Sequence, residues 1–204
     1  MQSFSTTLFA DADAEYGSAD YVLFGVPFDG TTSFKAGCRD APLAIRQVSY
    51  NIETYLPYYN LEMTDVSVHD MGDMYVECLP DLMVEQVADA VCDLIKDEKI
   101  PIMMGGEHSV TIGAVQALQP KWYVVCDAHL DMQDEYRGSP FNHDCVTARV
   151  SETVENIVII GARSGCQEEF SYAREHYHLY TADEVEERGI RDVLDEVSGL
   201  ISDD

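Results

Sequence analysis

The sequence predicts an α/β protein, with three α/β/α layers around a mostly parallel sheet. Short apolar runs of strand length alternate along the chain with segments of helical length. The apolar runs are continuous, as in strands that are buried on both faces. Histidine and aspartate residues follow several of these runs, at the strand ends where such sheets bind ligands.

The whole chain of 204 residues predicts one domain over 1–204, with residues 1–17 as a polar, mobile arm. Its 38 acidic and 12 basic residues give a formal net charge of −26. This charge argues against a nucleic-acid partner, because phosphate contacts need a basic surface. It favours either cationic ligands or solvation in a high-salt cytosol. Apolar runs too short to cross a membrane and the lack of a signal peptide predict a cytoplasmic protein without a membrane partner.

The first strand and helix come from the segment before residue 50. Tyr21–Val26 is a continuous apolar run, which predicts a buried strand. Pro27–Gly37 is rich in glycine, serine and threonine and predicts a loop. The signal D-A-P at 40–42 predicts the start of a helix over Ala41–Val48. Tyr50–Asn60, with four tyrosines and a proline, predicts irregular structure.

The middle of the chain begins with Val66–Val68, which predicts a brief strand. His69, Asp70 and Asp73 follow it, and they indicate either a metal-binding cluster or a turn with solvated acids. Pro80–Lys99 predicts the clearest helix, because its apolar residues fall on one stripe and two lysines lie at its C-terminal end.

The second half of the chain repeats the alternation of strands and helices. The predicted strands are Ile100–Met104, Trp122–Cys126, Asn156–Ile160 and His178–Tyr180. The predicted helices are Val110–Leu118, His143–Val150, Gln167–His176 and Arg191–Leu200, and Met132–Asn142 predicts a polar loop.

The residues of chemical interest follow the strand Trp122–Cys126. Asp127, His129 and Asp131 alternate, so in an extended chain their side chains would share one face. Ionised groups beside a core must be paired or must coordinate a metal. Oxygen and nitrogen donors without sulfur suit Mn²⁺, Zn²⁺ or Fe²⁺. The pattern therefore predicts a metal site, and turn residues after a strand are the alternative.

Two histidines extend this candidate site. His108 follows a glycine pair at a strand end, either as a metal ligand or as a helix-start residue. His108, Asp127, His129 and Asp131 would together saturate one tetrahedral ion. Two ions would require carboxylates that bind both of them and further ligands from another segment. His143 follows a loop with glycine and proline, and it either passes a proton to a leaving amine or begins a helix.

The motifs G-G-E-H-S at 105–109 and D-A-H-L-D at 127–131 resemble those of the ureohydrolases, the arginase and agmatinase family. The resemblance extends to G-V-P-F-D-G-T-T-S-F-K-A-G at 25–37 and A-P-L-A-I-R at 41–46, so it covers nearly the whole chain from about Asp20. It implies the family's α/β/α fold. It also implies a binuclear manganese centre whose bridging hydroxide hydrolyses guanidinium groups to urea and an amine.

The resemblance assigns a role to each candidate residue. His108 and Asp131 would hold one Mn²⁺, His129 would hold the other, and Asp127 would bridge the two ions of the complete site. His143 corresponds to the family's histidine in the loop after this motif, and it would assist proton transfer to the leaving amine.

The substrate implied by the resemblance is agmatine, a small cationic guanidino compound that is hydrolysed to putrescine and urea in polyamine biosynthesis. Residues 132–137 replace those with which arginases grip the α-amino acid end of their substrate, and the block at 25–37 resembles agmatinases, especially archaeal ones. The alternatives are another ureohydrolase (arginase, formimidoylglutamase or guanidinobutyrase) and a non-catalytic fragment with half a metal site.

The family's third metal motif, S-x-D-x-D, has no counterpart in these 204 residues. Its two aspartates complete the binuclear centre, and the sequence stops where the resemblance places the next strand. The sequence therefore predicts a chain that is incomplete at its C-terminus, with the last strands of the fold missing. Alone, it is expected to bind Mn²⁺ poorly and to lack normal activity. For the complete protein, the resemblance implies a homo-oligomer, a trimer or a hexamer.

Overall fold

The computed structural model describes residues 7–202, and the chain divides into two compact units, Met1–Leu118 and Gln119–Asp204. Each unit contains a three-stranded sheet in which every pairing is parallel. The α/β class with mostly parallel strands is therefore confirmed. The prediction of a single domain over 1–204 stays a prediction. Within residues 7–202, no helix is both long enough and apolar enough to cross a membrane.

The first unit is built around a central buried strand. In chain order it contains β1 (Tyr21–Val26), α1 (Ala41–Ser49), β2 (Tyr55–Leu56), β3 (Leu61–Glu62), β4 (Val68–Asp73), α2 (Pro80–Lys96), β5 (Ile100–Gly105) and α3 (Val110–Leu118). β1 lies between β4 and β5, and its residues from Val22 to Val26 are buried, as the apolar run predicts. β2, within the segment predicted as irregular, and β3, directly after that segment, form a separate antiparallel pair.

The second unit repeats this plan with a different set of elements. In chain order it contains β6 (Trp122–Cys126), α4 (Val146–Val150), β7 (Asn156–Ala162), α5 (Gln167–His176), β8 (His178–Thr181), α6 (Ala182–Arg188) and α7 (Ile190–Ser202). β7 is the central strand, between β6 and β8. Val193 and Val197 of α7 pack in one buried cluster with Val158 and Ile160 of β7. This packing buries one face of the central strand β7.

β4 departs from the sequence prediction, because it spans Val68–Asp73, whereas the predicted strand spans Val66–Val68. The side chain of Arg46 is fully buried, and its guanidinium donates to Asp70 at 2.7 and 2.8 Å and pairs with Asp73. His69 Nδ1 lies 2.7 Å from the carbonyl oxygen of Ala14. Both interpretations of this segment, as a metal cluster and as a solvated turn, are therefore wrong, since Arg46 balances its carboxylates inside the unit.

Residues 7–17 pack on the first unit, although the sequence predicts a mobile arm over 1–17. The backbone N–H of Phe9 donates to Asp70 Oδ2 at 2.6 Å, and that of Ala10 donates to Ser49 Oγ at 2.9 Å. Ala12 is 1% exposed and lies in a buried cluster with Leu23. Residues 1–6 of the predicted arm lie outside the described residues.

Candidate metal centre

The D-A-H-L-D segment forms a turn that starts where β6 ends, at Cys126. The N–H of Asp127 donates to the carbonyl of Ile160 in β7 at 3.1 Å, which continues the strand pairing for one residue. Asp127 Oδ1 then accepts the N–H of His129 at 2.8 Å, a local bond typical of aspartate in turns. The chain is therefore not extended through Asp131. The prediction that Asp127, His129 and Asp131 share one face of an extended strand is therefore wrong. The three residues instead lie in one turn.

Asp131 has a left-handed backbone, with φ of 50°, a conformation that aspartate tolerates better than most residues. Its carbonyl accepts the N–H groups of Thr147 at 2.9 Å and Ala148 at 3.3 Å, in the first turn of α4. N–H groups in the first turn of a helix have no acceptor within that helix, and here the carbonyl of Asp131 is the acceptor for both. Asp131 is 7% exposed and the adjacent Leu130 is 1% exposed, so this part of the turn is fixed.

His129 is the exposed member of the turn, with 61% of its side chain accessible. Its Nδ1 lies 3.3 Å from Asp127 Oδ1. The backbone beside it is anchored, because the carbonyl of Ala128 accepts the N–H groups of Arg163 and Ser164, both at 2.9 Å. The imidazole is thus accessible to a ligand while the backbone that carries it is held by the loop after β7.

A cavity of about 250 Å³ lies against this turn and brings in a carboxylate that sequence reasoning missed, Asp144. Burial raises the pKa of Asp144, and the carboxylates of Asp131 and Glu169 raise it further, while the imidazoles of His143 and His129 oppose them. Burial, with Asp131 and Asp127, also raises the pKa of Tyr123. The cavity wall is therefore crowded with negative charge.

His143 opens a 3-10 turn, His143–Cys145, which leads into α4 and accounts for the helix predicted over His143–Val150. Its ring meets that of Tyr136 edge to face, with the centroids 6.0 Å apart. Asn142, which is 2% exposed, donates from Nδ2 to the carbonyl of Tyr136 at 3.2 Å. The loop before His143 is thus folded back on itself. The catalytic role of His143 stays a prediction.

His108 belongs to the first unit and is partly buried. It follows β5 and the glycine pair, and its carbonyl accepts the N–H of Thr111 at 3.0 Å at the start of α3. The helix-start interpretation therefore describes its backbone. Its role as a metal ligand stays a prediction, as do those of Asp127, His129 and Asp131.

The donor set of the turn fits a divalent cation. Two carboxylates and one imidazole occur within five residues, and Asp131 is buried among other acidic groups. A cation would offset the mutual repulsion of these carboxylates, and such oxygen and nitrogen donors suit Mn²⁺ or Zn²⁺.

A second, larger cavity of about 770 Å³ shares Gln133, Cys166 and Glu169 with the first. Glu169 accepts from Gln133 Nε2 at 3.0 Å and from the N–H of Cys166 at 2.7 Å. Five carboxylates line this cavity: Asp134, Glu135, Glu152, Glu168 and Glu169. Arg149, which pairs with Asp134 and Glu152, is the basic residue among its described lining residues. The cavity therefore suits a cationic molecule next to the D-A-H-L-D turn.

A family model described as the Arginase family matches residues 19–204. The chain belongs to the arginase family. This confirms the resemblance that its motifs indicate. An N(1)-aminopropylagmatine ureohydrolase of Thermococcus kodakarensis is 46% identical to this arginase-family chain over 160 residues, and an agmatinase of Pyrococcus horikoshii is 44% identical over 161 residues.

These alignments cover 77% and 76% of the arginase-family chain, respectively, and 56% of each relative. The chain thus spans about half the length of the curated relatives it matches. The crystal structure of the agmatine ureohydrolase of Thermoplasma volcanium superimposes with a TM-score of 0.88 at 37% identity, over 96% of this chain and 68% of that one. The arginase-family fold predicted from the sequence is therefore confirmed.

Proposed function

We propose that this arginase-family protein is a metal-dependent ureohydrolase that converts agmatine to putrescine and urea. The D-A-H-L-D turn carries the proposal, because its buried carboxylate Asp131 and its accessible imidazole His129 both line an acidic cavity. Relatives named agmatinase and agmatine ureohydrolase support the same substrate class. A small guanidino cation with an ammonium group at its other end fits the charge of the cavity wall.

The proposed metal is Mn²⁺, two ions per complete site, with His108 and Asp131 on one ion, His129 on the other and Asp127 shared. The motif positions and the donor types support this assignment. When bound, the ions would supply Lewis acidity and a water activated for attack at neutral pH.

The remaining steps belong to the side chains of the protein. The hydrogen bonds from α4 hold Asp131 in place, so this ligand would pay little ordering entropy on metal binding. The carboxylates of the larger cavity would bind the distal ammonium group of the substrate. His143 would give a proton to the nitrogen of the departing amine, since histidine exchanges protons near neutral pH.

A second candidate substrate is N(1)-aminopropylagmatine, which carries one more amino group than agmatine. The volume of the larger cavity, about 770 Å³, and its five carboxylates favour a longer polycation. The Thermococcus relative named for this substrate points in the same direction.

The deciding experiment measures product release by the full protein that the reading frame encodes, with Mn²⁺ supplied. Agmatine, N(1)-aminopropylagmatine, arginine and guanidinobutyrate are scored for urea, and formimidoylglutamate is scored for formamide. We expect kcat/KM for agmatine or its aminopropyl derivative to exceed that for arginine by about tenfold or more, because no α-carboxylate has to be accommodated among the acids.

Asp127→Asn should abolish urea release, whereas Asp89→Asn, which alters an exposed carboxylate on α2, should leave it intact. A folded protein that binds Mn²⁺ but releases neither urea nor formamide from any of the five compounds would contradict the proposal. A protein that prefers arginine would replace the substrate while leaving the reaction class in place.

A cytoplasmic location and a homo-oligomeric assembly, a trimer or a hexamer, accompany this proposal. The location rests on the sequence, and the assembly rests on the resemblance to the family. Light scattering coupled to size-exclusion chromatography tests the assembly directly.

A further inference from the structure

Glu107 is a buried carboxylate, 5% exposed, that immediately precedes His108. It accepts three hydrogen bonds. The N–H of Thr31 donates at 2.8 Å, the hydroxyl of Thr31 donates to the other carboxylate oxygen, and Ser109 Oγ donates at 2.5 Å. The side chain thus joins the loop between β1 and α1 to the turn that carries His108.

The backbone makes the same connection. The N–H of Glu107 donates to the carbonyl of Phe28 at 2.8 Å, and that of Gly106 donates to the carbonyl of Val26 at 3.0 Å. A Cβ at position 106 would collide with the Phe28 carbonyl, so only glycine permits this close approach. Residues 26–31 and the turn at 106–109 therefore form one closely packed structure.

The energetics of this contact depend on the charge of Glu107. A buried carboxylate is costly unless hydrogen bonds satisfy it, and bonds to an ionised acceptor are about twice as strong as neutral ones. Glutamine has the same shape, but it replaces one acceptor oxygen with an NH₂ group. That group can donate to the hydroxyl oxygens of Thr31 and Ser109, so the contacts can persist, but they become neutral hydrogen bonds, which are weaker than those to the ionised carboxylate.

We propose that Glu107 is a positioning residue, which fixes the His108 turn against residues 28–31 and so sets the orientation of the His108 imidazole for metal binding. This inference rests on the proposed function, since it takes His108 as a ligand. Glu107 is buried, and both of its oxygens accept hydrogen bonds from Thr31 or Ser109, so its carboxylate is tied to the turn.

The first arm of the test measures hydrogen exchange in the metal-free protein. Glu107→Gln should speed exchange at the Thr31 amide and at the backbone amide of residue 107 by about tenfold, because the hydrogen bonds that protect them weaken. Exchange within α2 should stay unchanged. Glu85→Gln is the matched control, because Glu85 is an exposed glutamate on α2.

The second arm measures Mn²⁺ affinity by calorimetry on the full protein that the reading frame encodes. Glu107→Gln should weaken binding about 10–100-fold, the effect typical of residues that orient a metal ligand. His108→Ala should weaken it further, and Glu85→Gln should leave it unchanged. Thr31→Val and Ser109→Ala each remove one donor to Glu107, so both should give smaller losses in the same direction.

Each outcome decides the matter. Unchanged exchange at Thr31 in Glu107→Gln overturns the inference, and so does faster exchange with unchanged Mn²⁺ affinity, which would make the contact purely structural. If Glu107→Gln fails to fold, hydrogen exchange and Mn²⁺ affinity are measured in Thr31→Val and Ser109→Ala instead, and the same criteria apply. Failure of the unmodified protein to bind Mn²⁺ would count against the proposed function, and the positioning role for metal binding would fail with it.

Discussion

Both units of the molecule contain buried carboxylates, but they compensate the charge differently. In the first unit, Asp70 is paired with Arg46, and both side chains are completely inaccessible to solvent. In the second unit, the groups that raise the pKa of Asp144 include the carboxylates of Asp131 and Glu169. A unit that supplies its own cation, as the first does with Arg46, can use its buried carboxylates for stability. A unit that gathers carboxylates around a cavity, as the second does, is destabilised by their repulsion unless a cation binds there from solution.

The largest effect should come from removing the internal cation. Arg46→Met leaves Asp70 and Asp73 buried without their guanidinium partner, and breaking a buried pair in this way costs about 3–5 kcal/mol. The free energy of unfolding in urea measures the loss. Lys96→Met breaks an exposed pair with Asp93 and serves as the control, with an expected change of about 0.5 kcal/mol or less.

A loss of less than about 1 kcal/mol in Arg46→Met would mean that Arg46 contributes no more than a surface pair does. The buried carboxylates of the first unit would then not depend on Arg46 for stability, and the contrast with the second unit would be lost.

The second prediction concerns the carboxylates of the second unit. Asp131→Asn should reduce Mn²⁺ affinity by at least about 10–100-fold, the loss that even an outer-shell partner produces. Asparagine also tolerates the left-handed backbone at this position, so the unfolding free energy of the metal-free chain should change little. Calorimetry and urea unfolding on the same samples measure the two quantities. Equal metal affinity with lower stability would show that Asp131 is structural, like Asp70.

The smallest effect is a pH dependence at Asp144. Its pKa is raised in the folded chain above the ordinary value of 3.8, so folding favours the protonated form. Its contribution to stability is therefore fully present below that ordinary value and is lost as the pH rises through the folded value. Asp144→Asn should give a small gain in stability to the metal-free protein at neutral pH, and the gain should disappear in acid. A gain that grows on acidification would contradict the crowding of carboxylates.

The sequence predicts those elements whose signals are local. The bounds of β1, β6, α3 and α5 match the apolar runs and helical patterns. β4 is longer than predicted because its polar residues are buried by a pairing with Arg46, more than twenty positions away. α6 is missed although Thr181 and Glu184 form a reciprocal cap at its start, a pattern that the sequence does contain.

The same limit applies to the candidate centre. Asp127, His129 and Asp131 are recognisable because they stand together in the sequence, and the family match supports the motif. Asp144 is missed because it approaches Asp131 only after the intervening loop folds back. The segments V-H-D-M-G-D and C-D-A-H-L-D have similar composition, and the pairing of Arg46 with Asp70 and Asp73 shows that the carboxylates of the first serve the interior of their unit.

The hydrogen bonds to the carbonyl groups of Ala128 and Asp131 have a consequence for biosynthesis. Their donors all lie between Thr147 and Ser164, so these four hydrogen bonds involve no residue beyond Ser164. The entropic cost of closing a loop rises slowly with its length, by about 0.6 kcal/mol for each doubling. We therefore expect the turn to form on the ribosome before α5 to α7 emerge. A cation captured at that stage would stabilise the nascent structure by mass action, so the yield of folded protein would depend on the supply of metal in the cell.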